Sequence, residues 1–189
     1  MTVSKGLLLL DVDGPLNPYR ARRPAGYVTY RETPSGRWLR GGFPRRGYRV
    51  RLHPGHGALL RSLADETGLE LVWATAWEHA ANDRVAPAIG LDPLPVIEFG
   101  DADAERDDRG RLFWRVGGGW KWPSVVAYAA GRPLAWLDDE HDGEEFARAR
   151  AAFDRDRAGH PTLLCHVDPK DGLGAPHLER IRNWAAALR

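Results

Sequence analysis

The apolar residues of this chain fall into short runs, and the first sets the pattern: Leu7-Leu8-Leu9-Leu10 is followed at once by Asp11, Val12, Asp13 and Gly14. Four consecutive leucines predict a strand buried on both faces, as in a parallel sheet covered by helices. Asp11 and Asp13 then emerge at its carboxyl end, the edge at which ligands bind in open α/β sheets. From His53 onward, helical stretches close on glycine and several lead into further apolar runs. Residues 58–67 stop at Gly68 before 69–74; 78–89 stop at Gly90; 123–130 stop at Gly131 before 134–137; 144–158 stop at Gly159 before 162–167. Glycine just past a helix is the expected left-handed cap, and Pro123 suits a first helical turn. This alternation predicts βαβ units, hence an α/β fold of three layers with helices on both faces of a parallel sheet. A last helix is expected over 175–188, with Leu178, Ile181, Ala185 and Leu188 along one face.

One segment breaks the rhythm. Residues 15–54 are rich in Pro, Gly, Arg and aromatics, and read as an extended flap inserted after the first strand. Tyr27-Val28-Thr29-Tyr30 and Tyr48-Arg49-Val50-Arg51-Leu52 have β-type residues in partial alternation, which predicts a β-hairpin or a small excursion rather than a helix. At 189 residues the whole chain is expected to form one domain (1–189) with this flap as its minimal cap.

Composition changes the picture in two places. Cys165 is the only cysteine, so no intrachain disulfide exists. Its place in the apolar run 162–167 reads as a buried small residue rather than a nucleophile. The leucine run is far too short to span a bilayer, and a cytoplasmic protein without membrane contact is expected. The net charge of +1 conceals an uneven distribution. Between Arg20 and Arg51 lie ten arginines and a single acid, Glu32, whereas acids dominate at 101–108 and 138–145. Tyr27, Tyr30, Trp38, Phe43 and Tyr48 are interleaved with those arginines. Cations with aromatics suit a phosphate backbone and stacked bases; a solvated loop in an arginine-biased chain explains them equally well.

Three apolar runs end in groups capable of joint chemistry. Leu7 to Leu10 end in Asp11, Leu71 to Ala74 in Thr75, and Leu134 to Leu137 in Asp138 and Asp139. If these strands are parallel neighbours, their ends meet at one edge. Lys121, after Gly117-Gly118-Gly119 and at a predicted helix start, is placed to reach it. Carboxylates at Asp11, Asp138 and Asp139 cannot all be ionised together without a cation, and a hard divalent ion such as magnesium resolves the repulsion. Thr75 and Lys121 offer a hydroxyl and a positive charge to phosphoryl oxygens. Asp138, Asp139 and Asp142 have a second reading as caps of the following helix. His53, His56, His79 and Cys165 match no tight zinc spacing, and the triple glycine lacks the spacing of a phosphate-binding P-loop. Trp73, Trp77 and Trp136 read as core, while Trp120 and Trp122 either pack or line a pocket.

Asp11-Val12-Asp13-Gly14, Thr75, Lys121 and Asp138-Asp139 occur in the order of the four motifs of the haloacid dehalogenase (HAD) superfamily, which the chain resembles from Leu7 to Val167. The resemblance implies a Rossmann-like fold, Mg2+ held by Asp11, Asp13 through its backbone carbonyl, Asp138 and Asp139, and phosphatase chemistry. In it Asp11 attacks phosphorus to form an aspartyl-phosphate, and Asp13 protonates the leaving oxygen and then activates water. Dehalogenases of the family usually lack the second aspartate, so Asp13 favours phosphate transfer. Pro15 departs from the Thr or Val common in the family and removes a backbone donor. The string Asp13-Gly14-Pro15-Leu16-Asn17-Pro18, with Val167-Asp168-Pro169 and Gly172-Leu173, is similar to the HAD branch of Swiss Army Knife RNA repair proteins. Weakly capped members often act on large substrates, which implies a nucleic-acid end or nucleotide first and a small phosphorylated metabolite second. A HAD scaffold that binds nucleic acid or protein without catalysis, and a phosphotransferase, are the rival readings.

Overall fold

In the computed structural model, residues 5–22, 24–32, 48–99, 104–106, 112–114 and 120–188 are described. The triple glycine and, within the flap, Arg23, Arg37, Trp38, Arg40, Phe43, Arg45 and Arg46 lie outside the described residues. Strand β1 (Leu7–Leu10) is buried throughout, yet it serves two cores. Leu8 and Leu10 join one apolar cluster, Leu7 and Leu9 the other. The two-residue period of a strand sends successive side chains to opposite faces, so a run of identical leucines supplies both. Each contributes about 1.5–3 kcal/mol through burial.

With β2 (Val28–Glu32) and β3 (Tyr48–Leu52) forming the hairpin expected in the flap, the main sheet is built from β1, β4 (Glu70–Trp73), a later β7 (Leu134–Asp138) and β8 (Thr162–His166). Its order is β4-β1-β7-β8 and every pairing is parallel. Helix α1 (His56–Thr67) covers the Leu8/Leu10 face together with the C-terminal helix (Ala175–Ala186). Helix α3 (Trp122–Ala129) and helix α4 (Ala147–Asp156) cover the Leu7/Leu9 face through Trp122, Val125, Ala129 and Phe153. These are the three layers of the expected fold. Gly68 closes α1 in the left-handed region at φ +74°, its N–H donating to Ala64 O.

The segment 78–89 departs from the expected single helix. A π-turn over Ala81–Val85 precedes a short α2 (Ala86–Ile89). Pro87 has no N–H to donate to residue 83, which breaks the regular ladder there. The widened turn carries Asn82, whose Oδ1 accepts from Trp73 Nε1 at 2.8 Å and from Leu94 N at 2.8 Å. Two further differences are minor: α4 is preceded by a 3₁₀ turn (Glu144–Phe146), and a second hairpin pairs β5 (Ala104–Arg106) with β6 (Leu112–Trp114). Cys165 is fully buried in β8, and burial raises its thiol pKa. Among the described residues no helix is long and apolar enough to cross a membrane.

Candidate active site

The register of the sheet decides what meets at its carboxyl edge. Leu10 is level with Trp73 on one side and Leu137 on the other, so Asp11 emerges between Thr75 and Asp138. Lys121 caps the start of α3 and reaches this edge from the Leu7/Leu9 face. Its Nζ donates to Asp11 Oδ2 at 2.8 Å and to Asp138 Oδ2 at 2.7 Å, with Glu140 Oε2 at 4.0 Å. The Thr75 hydroxyl stands beside Asp11 and favours its charged form, and Lys121 also lies 5.6 Å from the ring centre of Trp120. Asp11, Thr75, Lys121 and Asp138 are all buried. The Asp138 Oδ1 accepts the Glu140 N–H at 2.9 Å, so Asp138 tightens the turn after its strand rather than capping a helix.

Asp139 completes a triad of carboxylates: one oxygen each from Asp11, Asp138 and Asp139 lie within 4.8 Å of one another. Gly14 makes this approach possible. It sits at φ +90°, and a Cβ there would stand 2.5 Å from Asp139 Cβ. The carboxylate of Asp13 is turned aside from the triad. Its Oδ1 accepts from Asn17 Nδ2 at 2.7 Å and its Oδ2 from Trp77 Nε1 at 2.9 Å. Pro15 costs the loop little, since the turn closes through the N–H groups of Gly14, Leu16 and Asn17.

Five carboxylates thus crowd one ammonium. Burial raises the pKa of Asp11, opposed by Lys121 and reinforced by Asp138. Burial and then Asp11 push Asp13 up to about 6, and burial with Asp11 and Asp138 pushes Asp139 up to about 7. Glu140 is raised for the same reasons. Burial works against the charge of Lys121, but Asp11, Asp138 and Glu140 more than offset it and hold the pKa well above the usual lysine value. Hard oxygen donors with excess negative charge, converging from strand ends, fit a small divalent cation such as Mg2+.

The expected residues divide clearly. Asp11, Thr75, Lys121, Asp138 and Asp139 meet at the edge, while Asp13 stands beside them on its own partners. Trp120 and Trp122 are buried with the core. His53 and His56 stack on each other, whereas His79 pairs with Glu98 at 2.8 Å. Cys165 lies in β8, so no zinc set forms among these residues. Four neighbours of the site were not among the expected site residues. Asn17 and Trp77 hold Asp13, Tyr19 donates its hydroxyl to Asp139 Oδ2 at 2.7 Å, and Glu140 faces Lys121. Asn17 was visible in the loop motif and Glu140 in the acidic run; Trp77 and Tyr19 join the site through tertiary contacts alone.

A parallel sheet with this acidic edge, a lysine from the following helix and a threonine on the adjacent strand define a HAD-type domain, a superfamily of phosphatase-type hydrolases. More narrowly, the chain belongs to the family described as the HAD domain in Swiss Army Knife RNA repair proteins, whose model matches residues 7–178. No curated protein matches the chain.

Proposed function

We propose that the protein is a Mg2+-dependent phosphomonoesterase working through an aspartyl-phosphate, with a nucleic-acid end or a nucleotide as its substrate. The observation that carries this reading is the division of labour between two aspartates on one loop. Asp11 lies against Lys121 and Thr75, whereas Asp13 is held apart by Asn17 and Trp77. A nucleophile needs neighbours that receive phosphoryl oxygens, and a general acid needs a separate seat near the leaving group.

In the proposed reaction an Asp11 oxygen forms a bond to phosphorus as the bond to the leaving oxygen breaks. Asp13 gives its proton to that oxygen. Asp13 then takes a proton from water, which attacks the aspartyl-phosphate, releases inorganic phosphate and regenerates Asp11. Lys121 and Thr75 hold the phosphoryl oxygens, where negative charge must be stabilised. Mg2+, held by Asp11, Asp138, Asp139 and the backbone carbonyl of Asp13, would neutralise the crowded carboxylates and the phosphoryl charge. The family description, which names RNA repair proteins, favours a nucleic-acid end over a small metabolite.

The test is phosphate release, with and without Mg2+, from an aryl phosphate, nucleotides, and 5′- and 3′-phosphorylated oligonucleotides. Metal-dependent release is expected, falling by at least about 10⁴-fold in Asp11→Asn with the melting temperature retained. Release that survives in that variant would remove Asp11 as nucleophile, and oligonucleotide binding without any release would make the protein a binding module.

A further inference from the structure

Away from the acidic edge, a second, open concavity lies beside the base of the flap hairpin. A cavity of about 540 Å³ is lined by Arg22, Tyr27, His53, His56, Lys170 and Asp171, among others. A smaller one of about 280 Å³ adjoins it, sharing Arg22 and Tyr27 and adding Arg49 and Arg51. Together the two linings hold four cations and one carboxylate, Asp171. The rings of Tyr27, His53 and His56 form a single cluster. His53 and His56 stack at 5.1 Å, and Tyr27 meets them edge-on at 5.4 and 5.5 Å. His56 is 4 % exposed, and its Nδ1 has no hydrogen-bond partner. A buried polar atom left unpaired is costly in a native fold; among the described residues Trp136, Glu140, His141 and His166 hold such atoms too, and of these five residues only His56 lines this cavity.

The walls of this concavity are tied to the loop that carries Asp13. The Arg51 N–H donates to Asn17 Oδ1 at 2.9 Å, and Asn17 in turn donates to Asp13. Arg20 N–H donates to Pro169 O at 3.1 Å and Leu173 N–H to Pro15 O at 2.8 Å. Thus one continuous loop places Tyr19 on Asp139 and Arg22 in the cavity. Arg51 is partly engaged in this scaffold, since its guanidinium donates to Ala21 O at 3.1 Å. Arg22, Arg49 and Lys170 are exposed.

We propose that this concavity is a subsite for a single-stranded nucleic-acid chain, with a base against the Tyr27, His53 and His56 rings and backbone phosphates on Arg22, Arg49 and Lys170. The assignment rests on the phosphatase reading and deepens it, by giving the strand that carries the reacting phosphate a second point of attachment. Rings together with guanidinium groups are the combination that holds single strands without reading sequence. Cations alone would suit any polyanion; the cluster of three rings points to a base. Burial, then His53, lowers His56 to about 4, so it meets a base edge as a neutral imidazole able to donate or accept.

The experiment measures anisotropy of a labelled, 5′-phosphorylated single-stranded RNA on the Asp11→Asn chain across a salt series, with inorganic polyphosphate as competitor. Tyr27→Ala should weaken RNA about tenfold and leave polyphosphate competition unchanged. The double variant Arg22→Glu/Arg49→Glu, at exposed positions, should weaken both ligands and reduce the salt slope by about 2. Melting temperatures verify folding. The proposal falls if RNA affinity in both variants stays within about twofold of the parent. It falls equally if Tyr27→Ala weakens polyphosphate as much as RNA, or if RNA does not bind. Aryl phosphate hydrolysis by the unsubstituted chain separates the two readings. Release without RNA binding overturns the subsite alone, and RNA binding of the expected pattern without release overturns the phosphatase alone.

Discussion

Lys121 and His56 are buried to nearly the same depth, at 3 % and 4 % exposed, yet they end in opposite charge states. Lys121 sits among carboxylates on the sheet edge and keeps its proton far above the ordinary range. His56 sits among rings beside the flap and gives its proton up readily, its pKa lowered by burial and by His53. Burial penalises the charge of both; only the partners differ. The acidic edge therefore holds one buried cation among carboxylates in excess, whereas the ring cluster holds its buried imidazole neutral. The first suits the transfer of a phosphoryl group, the second the recognition of what that group is attached to.

The sharpest way to break this contrast is to remove the compensating charge. In Lys121→Met, Asp11 and Asp138 face each other without a cation. Leaving buried carboxylates unpaired costs about 3–5 kcal/mol, and loss of a phosphoryl-oxygen partner costs about 10²–10³ in rate. Urea unfolding at neutral pH should show the lower stability in metal-free buffer, with part of it regained in Mg2+. An unchanged midpoint and an unchanged rate would mean that Lys121 compensates nothing.

His56 supplies the converse test, through pH. Its folded pKa of about 4 lies below the ordinary 6.5, so its contribution to stability is fully present above 6.5 and is lost as pH falls towards 4. The full difference amounts to about 3 kcal/mol. Asp13 and Asp139, raised to about 6 and about 7, run the other way and stabilise the metal-free fold as pH falls. The groups facing His56 are His53, Tyr27, Arg22, Lys170 and Asp171. Comparing the parent with His56→Phe isolates the one ring. Between pH 7 and pH 4.5 the parent should lose about 2–3 kcal/mol more than the variant, as read by urea unfolding. Equal losses would show that His56 protonates freely in the fold.

The acidic edge was far more legible in the sequence than the cavity, for a physical reason. Apolar runs such as Leu7 to Leu10 and Leu134 to Leu137 announce buried parallel strands, and a side chain just past each run must emerge at the same edge. Asp11, Thr75 and Asp138 were thus placed by local pattern alone. The π-turn at 81–85 was not, because it depends on Pro87 and on Asn82 meeting Trp73 across the fold. The ring cluster unites Tyr27 with His53 and His56, residues that no helical or strand period relates. Tyr19 and Asp139 lie 120 residues apart and meet only in the folded chain.

Asn17 joins the two regions, and its loss should have an intermediate effect. Its side chain donates to Asp13 and accepts from Arg51 N–H. In Asn17→Ala the part-buried Arg51 N–H loses its partner, for about 1 kcal/mol, and the seat of Asp13 loosens. The rate should fall about tenfold, mostly in kcat, with a shift in the pH profile that a merely structural lesion would not produce. Restoration by Asn17→Asp is not expected, because a carboxylate there would repel Asp13. A variant with parent stability, rate and pH profile would dissolve the link between hairpin and edge.

The smallest effect belongs to Tyr19, at the rim. It is 45 % exposed, and its hydroxyl donates to Asp139 Oδ2. A bond from a half-exposed phenol contributes little to folding, so Tyr19→Phe should leave the urea midpoint almost unchanged. Its consequence lies in orientation. Asp139 is the member of the carboxylate triad on the loop beyond β7, and Tyr19 fixes which of its oxygens is free to meet a cation. Partners that orient metal-binding carboxylates typically contribute about tenfold or more to metal affinity when buried; at this exposed position about threefold is expected. A Mg2+ titration of phosphate release, or of thermal stability in the Asp11→Asn background, reads that shift independently of the chemical step. An unchanged Mg2+ midpoint would place the ordering of Asp139 wholly in Gly14 and the turn behind it, and the rim of the acidic edge would then owe nothing to the flap.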